Sequence, residues 1–441
     1  MTQTTLQTNL SRAEETLSLL IAQKTLPGDN EAFNRFYEVL SGAFPNAFKA
    51  AEIQRVSTGA MLLLFRGSHS LQPLLFTGHA DVAPVSKETE EQWDFPAFSG
   101  VVADGYVWGR GAMDMKGHVA ALFEAVEEML ESGFVFKRDI WVAISGDEEI
   151  RGTDAQTMFR ILKAQGVRPA FVLDEGMGVI QGQWGIKKPL AMIGIGEKGH
   201  ANLHLNAGSK GGHGAYPPKS TALEKVIRAT TLMTSLPLGL KHLSPALVQM
   251  LKALAPCQKG LAKFAFWHPK LCKWYITNLL DETPFGRAFL MTTVAVTKAQ
   301  GSTAANSLPE AASVTLNCRI NQGDTVEKLK KRAEIRIANH DVTLTCTAPA
   351  DPSRVSPAKG PAWDALAIAV SVHFPDAIPV PCLILGASDA RRYEGLSDHV
   401  YRFSPFELSM EEQAAKHGVN ERLSLSNLEK GIAFFRQMLG A

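Results

Sequence analysis

No two cysteines in this chain stand at Cys-x-x-Cys spacing, and the five present (Cys257, Cys272, Cys318, Cys346, Cys382) are scattered and odd in number. Neither a disulfide framework nor a thiolate zinc site is indicated, and a reducing cytoplasm is the default expectation. No apolar run is long enough to cross a membrane. The opening Met1 to Leu10 has neither the basic start nor the continuous apolar core of a secretory leader, so none is expected. An excess of one charge sign is missing too: 45 Lys and Arg face 44 Asp and Glu, a net charge of +1. This argues against a broad nucleic-acid or membrane surface and leaves room only for a local basic patch. Nor is there an internal repeat or a low-complexity tract. What is present is 441 residues, 45% of them hydrophobic, enough for two domains with a core each.

Ser11-Arg-Ala-Glu14 reads as a capping box, and Leu17, Leu19, Leu20 and Ile21 supply the apolar face of a first helix. A second helix starts near Asn30, with Phe33, Phe36, Tyr37 and Leu40 at helical spacing. Glu52 to Val56 and Met61 to Phe65 read as strands joined by a turn, and Leu74-Leu-Phe76 as a short buried strand. Strands then alternate with helices: helix Val119 to Leu130, strand Ile140 to Ile144, helix Thr153 to Gln165, strand Ala170 to Leu173. Such alternation predicts an α/β layer with a largely parallel mixed sheet and flanking helices.

After Gly199 the order changes. Strand Ala201 to Leu205, helix Ala222 to Met233, strands Thr292 to Lys298 and Ser313 to Ile320, helix Val326 to Ala338 and strand Val342 to Cys346 make a βαββαβ pattern of ferredoxin-like type. The expected division is a first domain of residues 1–198 and 353–441, with 199–352 inserted as a lid. Residues 237–283, rich in Leu, Phe, Trp and Pro, form an excursion within the lid. Its Leu238, Leu240, Leu251, Leu254, Phe264, Phe266 and Trp267 are expected to pack a dimer or lid core in preference to lining an acyl pocket. The α/β pattern resumes with helix Trp363 to Val372, strands Cys382 to Leu385 and Val400 to Phe403, and a last helix from Ser426. Lys328, Lys330, Lys331 and Arg332 read as a solvated helix face.

Polar residues collect at the strand ends, where open α/β sheets bind ligands. Ser145-Gly-Asp-Glu-Glu-Ile150 follows a buried strand, and adjacent carboxylates there are costly without a cation. Alone, the triplet reads more readily as an acidic turn in water than as a metal site. With a metal present, Glu149 can ligate it while Glu148 stays free as a general base for water. In His79-Ala-Asp81 both side chains lie on one face at strand spacing, so Asp81 can hold the far ring nitrogen while His79 gives the other to the metal. Trp108 to His118 is a glycine-rich loop entering a helix and presenting Asp114; it lacks the spacing of a phosphate loop.

These stretches carry a resemblance. Gly78-His-Ala-Asp-Val-Ala-Pro84, Gly109-Arg-Gly-Ala-Met-Asp-Met-Lys-Gly117, Asp147-Glu-Glu149, Leu173-Asp-Glu-Gly176 and His417-Gly-Val-Asn-Glu421 resemble the signature blocks of the dinuclear zinc superfamily of aminoacylase, carboxypeptidase S, acetylornithine deacetylase and succinyl-diaminopimelate desuccinylase. The similarity runs from about residue 50 to the C-terminus, and the carboxypeptidase S and N-acyl amino acid hydrolase branch fits best. The resemblance implies two metal ions bridged by Asp114, one completed by His79 and Asp174 (in preference to the neighbouring Glu175), the other by Glu149 and His417. It implies Glu148 as general base with Asp81 supporting the site. Carboxylate and imidazole donors without thiolate suit zinc, with cobalt and manganese as further fits.

In the lid, Ser209 to Pro218 resembles the family's histidine block, which implies that His213 stabilises the oxyanion, often in a neighbouring subunit's site, and hence a homodimer through the lid. Asn306 and Arg319 match lid positions that contact substrate, a bidentate guanidinium being suited to a free carboxylate, while Arg319 taken alone reads equally as a strand-surface ion pair. Gly386 to Arg391 resembles the substrate loop, with Ser388, Asp389 and Arg391. His118, His200 and His399 are expected to be structural or solvent-facing. The implied enzyme is a metal-dependent hydrolase of amide or peptide bonds beside a free carboxylate, acting on small peptides or N-acyl amino acids, with no nucleic-acid or membrane partner. The alternatives are a catalytically inactive binding or assembly protein of the same fold and a binuclear phosphoesterase.

Overall fold

The computed structural model describes residues 10–150, 152–235, 237–239, 241–338 and 340–441. Met1 to Asn9 and Leu240, read above from the sequence, lie outside them. The chain divides into two compact units, Met1–Ile195 with Ser356–Pro381 and Ser388–Ala441, and Gly196–Val355 with Cys382–Ala387.

The first unit is built on a mixed sheet whose central strands, Ile140–Ser145, Leu74–His79, Phe171–Asp174 and Val400–Arg402, run parallel. Glu52–Arg55 and Met61–Phe65 extend it antiparallel on one side. On the other stands Leu190–Glu197, a strand absent from the sequence reading, paired antiparallel with Val400–Arg402 and Val179–Ile180. The central strands are buried on both faces, which is why they read as unbroken apolar runs without alternation. Helices cover both faces. Among them Lys116–Glu131 is buried almost all round and packs on the final helix Leu425–Leu439 and on Arg12–Ala22. The last of these begins at the expected capping box, Ser11 Oγ accepting from Glu14 N and Glu14 Oε2 from Ser11 N at 2.8 Å.

In the second unit, strands Gly199–Gly208, Thr293–Gln300, Ala311–Ile320 and Thr343–Ala350 form one antiparallel sheet, ordered second, third, first, fourth. Helices Ala222–Ser235 and Val326–Ile337 pack on its apolar face, on Leu203, Leu205, Val314 and Leu316. The other face is a polar ladder: His204 bonds Thr315 and Thr347 through its two ring nitrogens, and Asn317 donates to Asn202 at 2.9 Å.

The apolar excursion is helical: Pro245–Leu254, Gly260–Trp267, Lys273–Asp281 and Pro284–Leu290. Ser244 caps the first of these, its Oγ accepting from Leu247 N, and Pro245 fits its first turn. Leu238, Leu251, Leu254 and Phe266 are buried, whereas Phe264 and Trp267 are exposed.

Candidate metal centre

The parallel strands bring their carboxyl ends to one edge of the first unit, with His79 in register beside Ser145. His79, Asp114 and Glu175 converge there, as do Asp114, Glu149 and His417, the donor atoms of each trio lying within 4.8 Å of one another. His79 Nε2 is 3.3 Å from Asp114 Oδ1 and 3.4 Å from Glu175 Oε1. His417 Nε2 is 3.2 Å from Asp114 Oδ2 and 3.1 Å from Glu149 Oε1. The two oxygens of Asp114 thus face different trios.

These separations fit a metal. Donors about 2.0–2.1 Å from a tetrahedral ion stand roughly 3.3 Å apart, the edge length of the polyhedron. His79 Nε2 is buried, has no hydrogen-bond partner and points into its trio. Three carboxylates around two imidazoles, without thiolate, form an oxygen-rich donor set suited to a hard or borderline divalent ion.

Asp174, the expected ligand, does not join the trio. Its Oδ2 accepts from the backbone N–H of Ala390 at 2.7 Å, and Glu175 takes the place beside His79. Successive side chains at a strand end point to opposite sides, so only one of the pair can face the cluster. Asp81 also differs in detail. His79 Nδ1 bonds the main-chain carbonyl of Asp81 at 2.9 Å, while the Asp81 carboxylate, 3.5 Å away, accepts the N–H groups of Glu148 and Glu149 at 3.2 and 3.0 Å. Asp81 therefore fixes the backbone that carries both glutamates as well as the histidine.

Glu148 belongs to neither trio. Burial pushes its carboxyl well above the usual range against the pull of His79, and Glu175, Asp389 and Asp114 push the same way. Burial also raises Glu175, to about 7, aided by Asp114 and opposed by His79. His417 is pushed up to about 10 by its hydrogen bonds to Asp114 and Glu149. For Lys416, burial disfavours the charge, but Asp114, Glu175, Glu421 and Glu149 outweigh it and raise the ammonium's pKa.

The glycine-rich loop is held from beneath by a residue to which the sequence reading gave no role. Glu421 is sealed from solvent, and its Oε1 accepts the N–H groups of Gly111, Met113 and Asp114 at 3.1, 2.9 and 3.1 Å. Its Oε2 takes Arg110 Nη1. Gly111 sits at φ +93°, where a Cβ would come within 2.8 Å of Val82. Lys116, fully buried, donates to Leu20 O and Gln23 O at the end of the first helix. His417 holds a left-handed backbone, φ +58°, a conformation costly for a side chain with a Cβ.

His213, Asn306 and Arg319 belong to the second unit. His213 and Asn306 are neighbours at a short antiparallel pairing of Gly212–His213 with Ser307–Leu308, Gly214 N donating to Asn306 O at 2.8 Å, and both are exposed. Arg319 pairs with His200 across the sheet on the polar face; it is half-buried and donates to Asn317 Oδ1 at 3.3 Å. In the first unit Ser388 and Asp389 are buried, and Ser145 Oγ donates to Asp389 Oδ2 at 2.5 Å. His118 is buried against Phe435 and belongs to neither trio.

The model of peptidase family M20/M25/M40 matches residues 75–441, and the chain belongs to this family. It is a metal-dependent amidohydrolase, which sets aside the inactive and phosphoesterase readings. Its relatives include the human N-fatty-acyl-amino acid synthase/hydrolase PM20D1, 32% identical over 416 residues, an alignment covering 92% of this chain and 82% of the human protein. Carboxypeptidase S of Saccharomyces cerevisiae is 28% identical over 459 residues, covering 92% and 78%. Among solved structures, the M20 family metallo-carboxypeptidase Sso-CP2 from Sulfolobus solfataricus superposes with a TM-score of 0.75 at 15% identity, over 98% of this chain and 99% of that one.

Proposed function

We propose that the enzyme hydrolyses N-acyl amino acids, using two zinc ions, one held by His79, Asp114 and Glu175 and the other by Asp114, Glu149 and His417. The observation that carries the dinuclear reading is the division of the Asp114 oxygens between two trios. Divalent ions bound there would polarise the scissile carbonyl and lower the pKa of water. Glu148, outside both trios, takes the proton of the attacking water and returns it to the leaving amine. Asp81, through the N–H groups of Glu148 and Glu149, keeps base and ligand in register.

His213 is assigned to the oxyanion, and Asn306 and Arg319 to the substrate carboxylate, on their match to the family's blocks. The domain division is proposed as a catalytic domain of residues 1–198 and 353–441 with 199–352 as lid, through which two copies pair. A cytoplasmic location is proposed on the five free cysteines. The N-acyl class is preferred because PM20D1, named for such substrates, shares more identity with this chain than carboxypeptidase S does. A peptide substrate is the second reading, favoured by the metallo-carboxypeptidase fold match. The test is kcat/KM of the zinc-loaded enzyme on matched N-acyl amino acids and dipeptides. Higher values for the acyl series support the proposal, and the reverse order replaces it with the carboxypeptidase reading.

A further inference from the structure

Both exposed tryptophans among the described residues, Trp267 and Trp274, stand on two consecutive short helices, Gly260–Trp267 and Lys273–Asp281. Leu261, Phe264 and Leu271 are exposed beside them, so five large apolar side chains meet solvent within fourteen residues, Leu271 and Trp274 at 77%. Other exposed large apolar residues of the chain are scattered. Leu261, Phe264 and Trp267 recur every third residue and share one helical face, while Ala265 and Phe266 turn inward.

The charge around them is one-sided. From Lys225 to Leu280 the sequence contains no Asp or Glu, although the whole chain is balanced, and Asp281, which ends the second helix, is paired with Lys241 and Arg287. Lys252, Lys259, Lys263, Lys270 and Lys273 are all exposed in this stretch, and none forms an ion pair among the described residues. Aromatic and aliphatic side chains bordered by unpaired lysines match the surface that lies in the headgroup region of a bilayer, with apolar groups among acyl chains and cations on lipid phosphates. The same charges disfavour a second copy as the occupant, because an isologous contact would set lysines against lysines.

We propose that the helices Gly260–Trp267 and Lys273–Asp281 form an interfacial docking surface for an anionic lipid membrane, seating the enzyme on it without spanning it. The inference is independent of the substrate and goes beyond the hydrolytic site. It revises the expectation of no membrane partner: net charge describes the whole chain, whereas docking depends on one local field.

The test is flotation of the full-length enzyme with vesicles of phosphatidylcholine alone or mixed with phosphatidylglycerol, read together with tryptophan emission. Wild type is expected to bind the mixed vesicles at least about tenfold better, given roughly 1 kcal/mol for each basic residue near such a surface. Its emission should shift to the blue and its binding weaken with salt. Lys263→Glu/Lys270→Glu/Lys273→Glu and, separately, Trp267→Ser/Trp274→Ser should abolish binding while leaving turnover of a water-soluble substrate unchanged, which shows that the variants are folded. Equal partition to both vesicle types, absence of binding, or binding that survives charge reversal overturns the proposal. So does concentration-dependent dimerisation that the tryptophan variant removes, which would assign the patch to a second copy.

Discussion

Arg110 Nη1 stands 2.6 Å from Glu421 Oε2, joining residues 311 positions apart in a pocket closed to water. The second oxygen of Glu421 gathers three backbone N–H groups of the loop that presents Asp114. One carboxylate thus fixes both the charge and the shape of that loop.

Replacing Glu421 by Ala leaves a buried guanidinium and three N–H groups without their acceptor. We expect a loss of about 3–5 kcal/mol of stability, the cost of breaking a buried ion pair from one side. Urea unfolding of the metal-free protein measures it, and a loss below about 1 kcal/mol would show that the loop holds its shape without this carboxylate.

Glu148→Gln keeps the side chain's size and removes its ability to take a proton. The expected result is a fall in kcat of roughly 100- to 10,000-fold with two metal ions per chain retained. Turnover and metal content measured on the same sample check it; near-normal turnover would assign the base elsewhere.

Glu175→Gln and Asp174→Asn separate the neighbours. The first should weaken metal binding by more than about tenfold, since a ligand matters at least as much as the groups supporting it. The second should leave metal content unchanged, because an amide oxygen can still accept the N–H of Ala390. Dialysis against a metal buffer followed by metal analysis decides between them.

Lys198 offers a pH test away from the metal cluster. Burial, with Arg319 nearby, pushes its ammonium down to about 7, and its Nζ donates to Ala288 O and Met291 O. A neutral amine still has two donors for these two carbonyls. Between about pH 7 and pH 10.4 the unfolded chain holds this proton and the folded chain does not, so stability rises with pH, by up to about 1.4 kcal/mol per unit. The contribution is complete above the unfolded value and disappears as pH falls through 7. Burial lowers Lys116 to about 7 as well and adds the same slope to both proteins, so unfolding across this range should show a steeper slope in the wild type than in Lys198→Met.

Much of this was legible in the sequence. Ser11 and Glu14 announced the first helix because a capping box is local chemistry. His79 and Glu149 were legible as polar residues ending apolar strands, whereas Asp114 as a bridge and His417 as a ligand came only from the resemblance of their blocks to the family's. Asp174 and Glu175 were not separable, since their facing depends on where Phe171–Asp174 leaves the sheet. Leu190–Glu197 was overlooked because Gly194 and Gly196 break up its apolar run. The roles of Glu421, Arg110 and Lys116 could not be read because each depends on a partner far away in sequence.

The two trios differ in how they meet the solution. His79 is sealed, its side chain 2% accessible, whereas that of His417 is 55% accessible. An ion leaving the His417 side needs only that imidazole to swing outward, while one leaving the His79 side must wait for the strand ends to part. A chelator would therefore strip the enzyme in two phases, fast and then slow, and the form that accumulates between them would keep its inner ion.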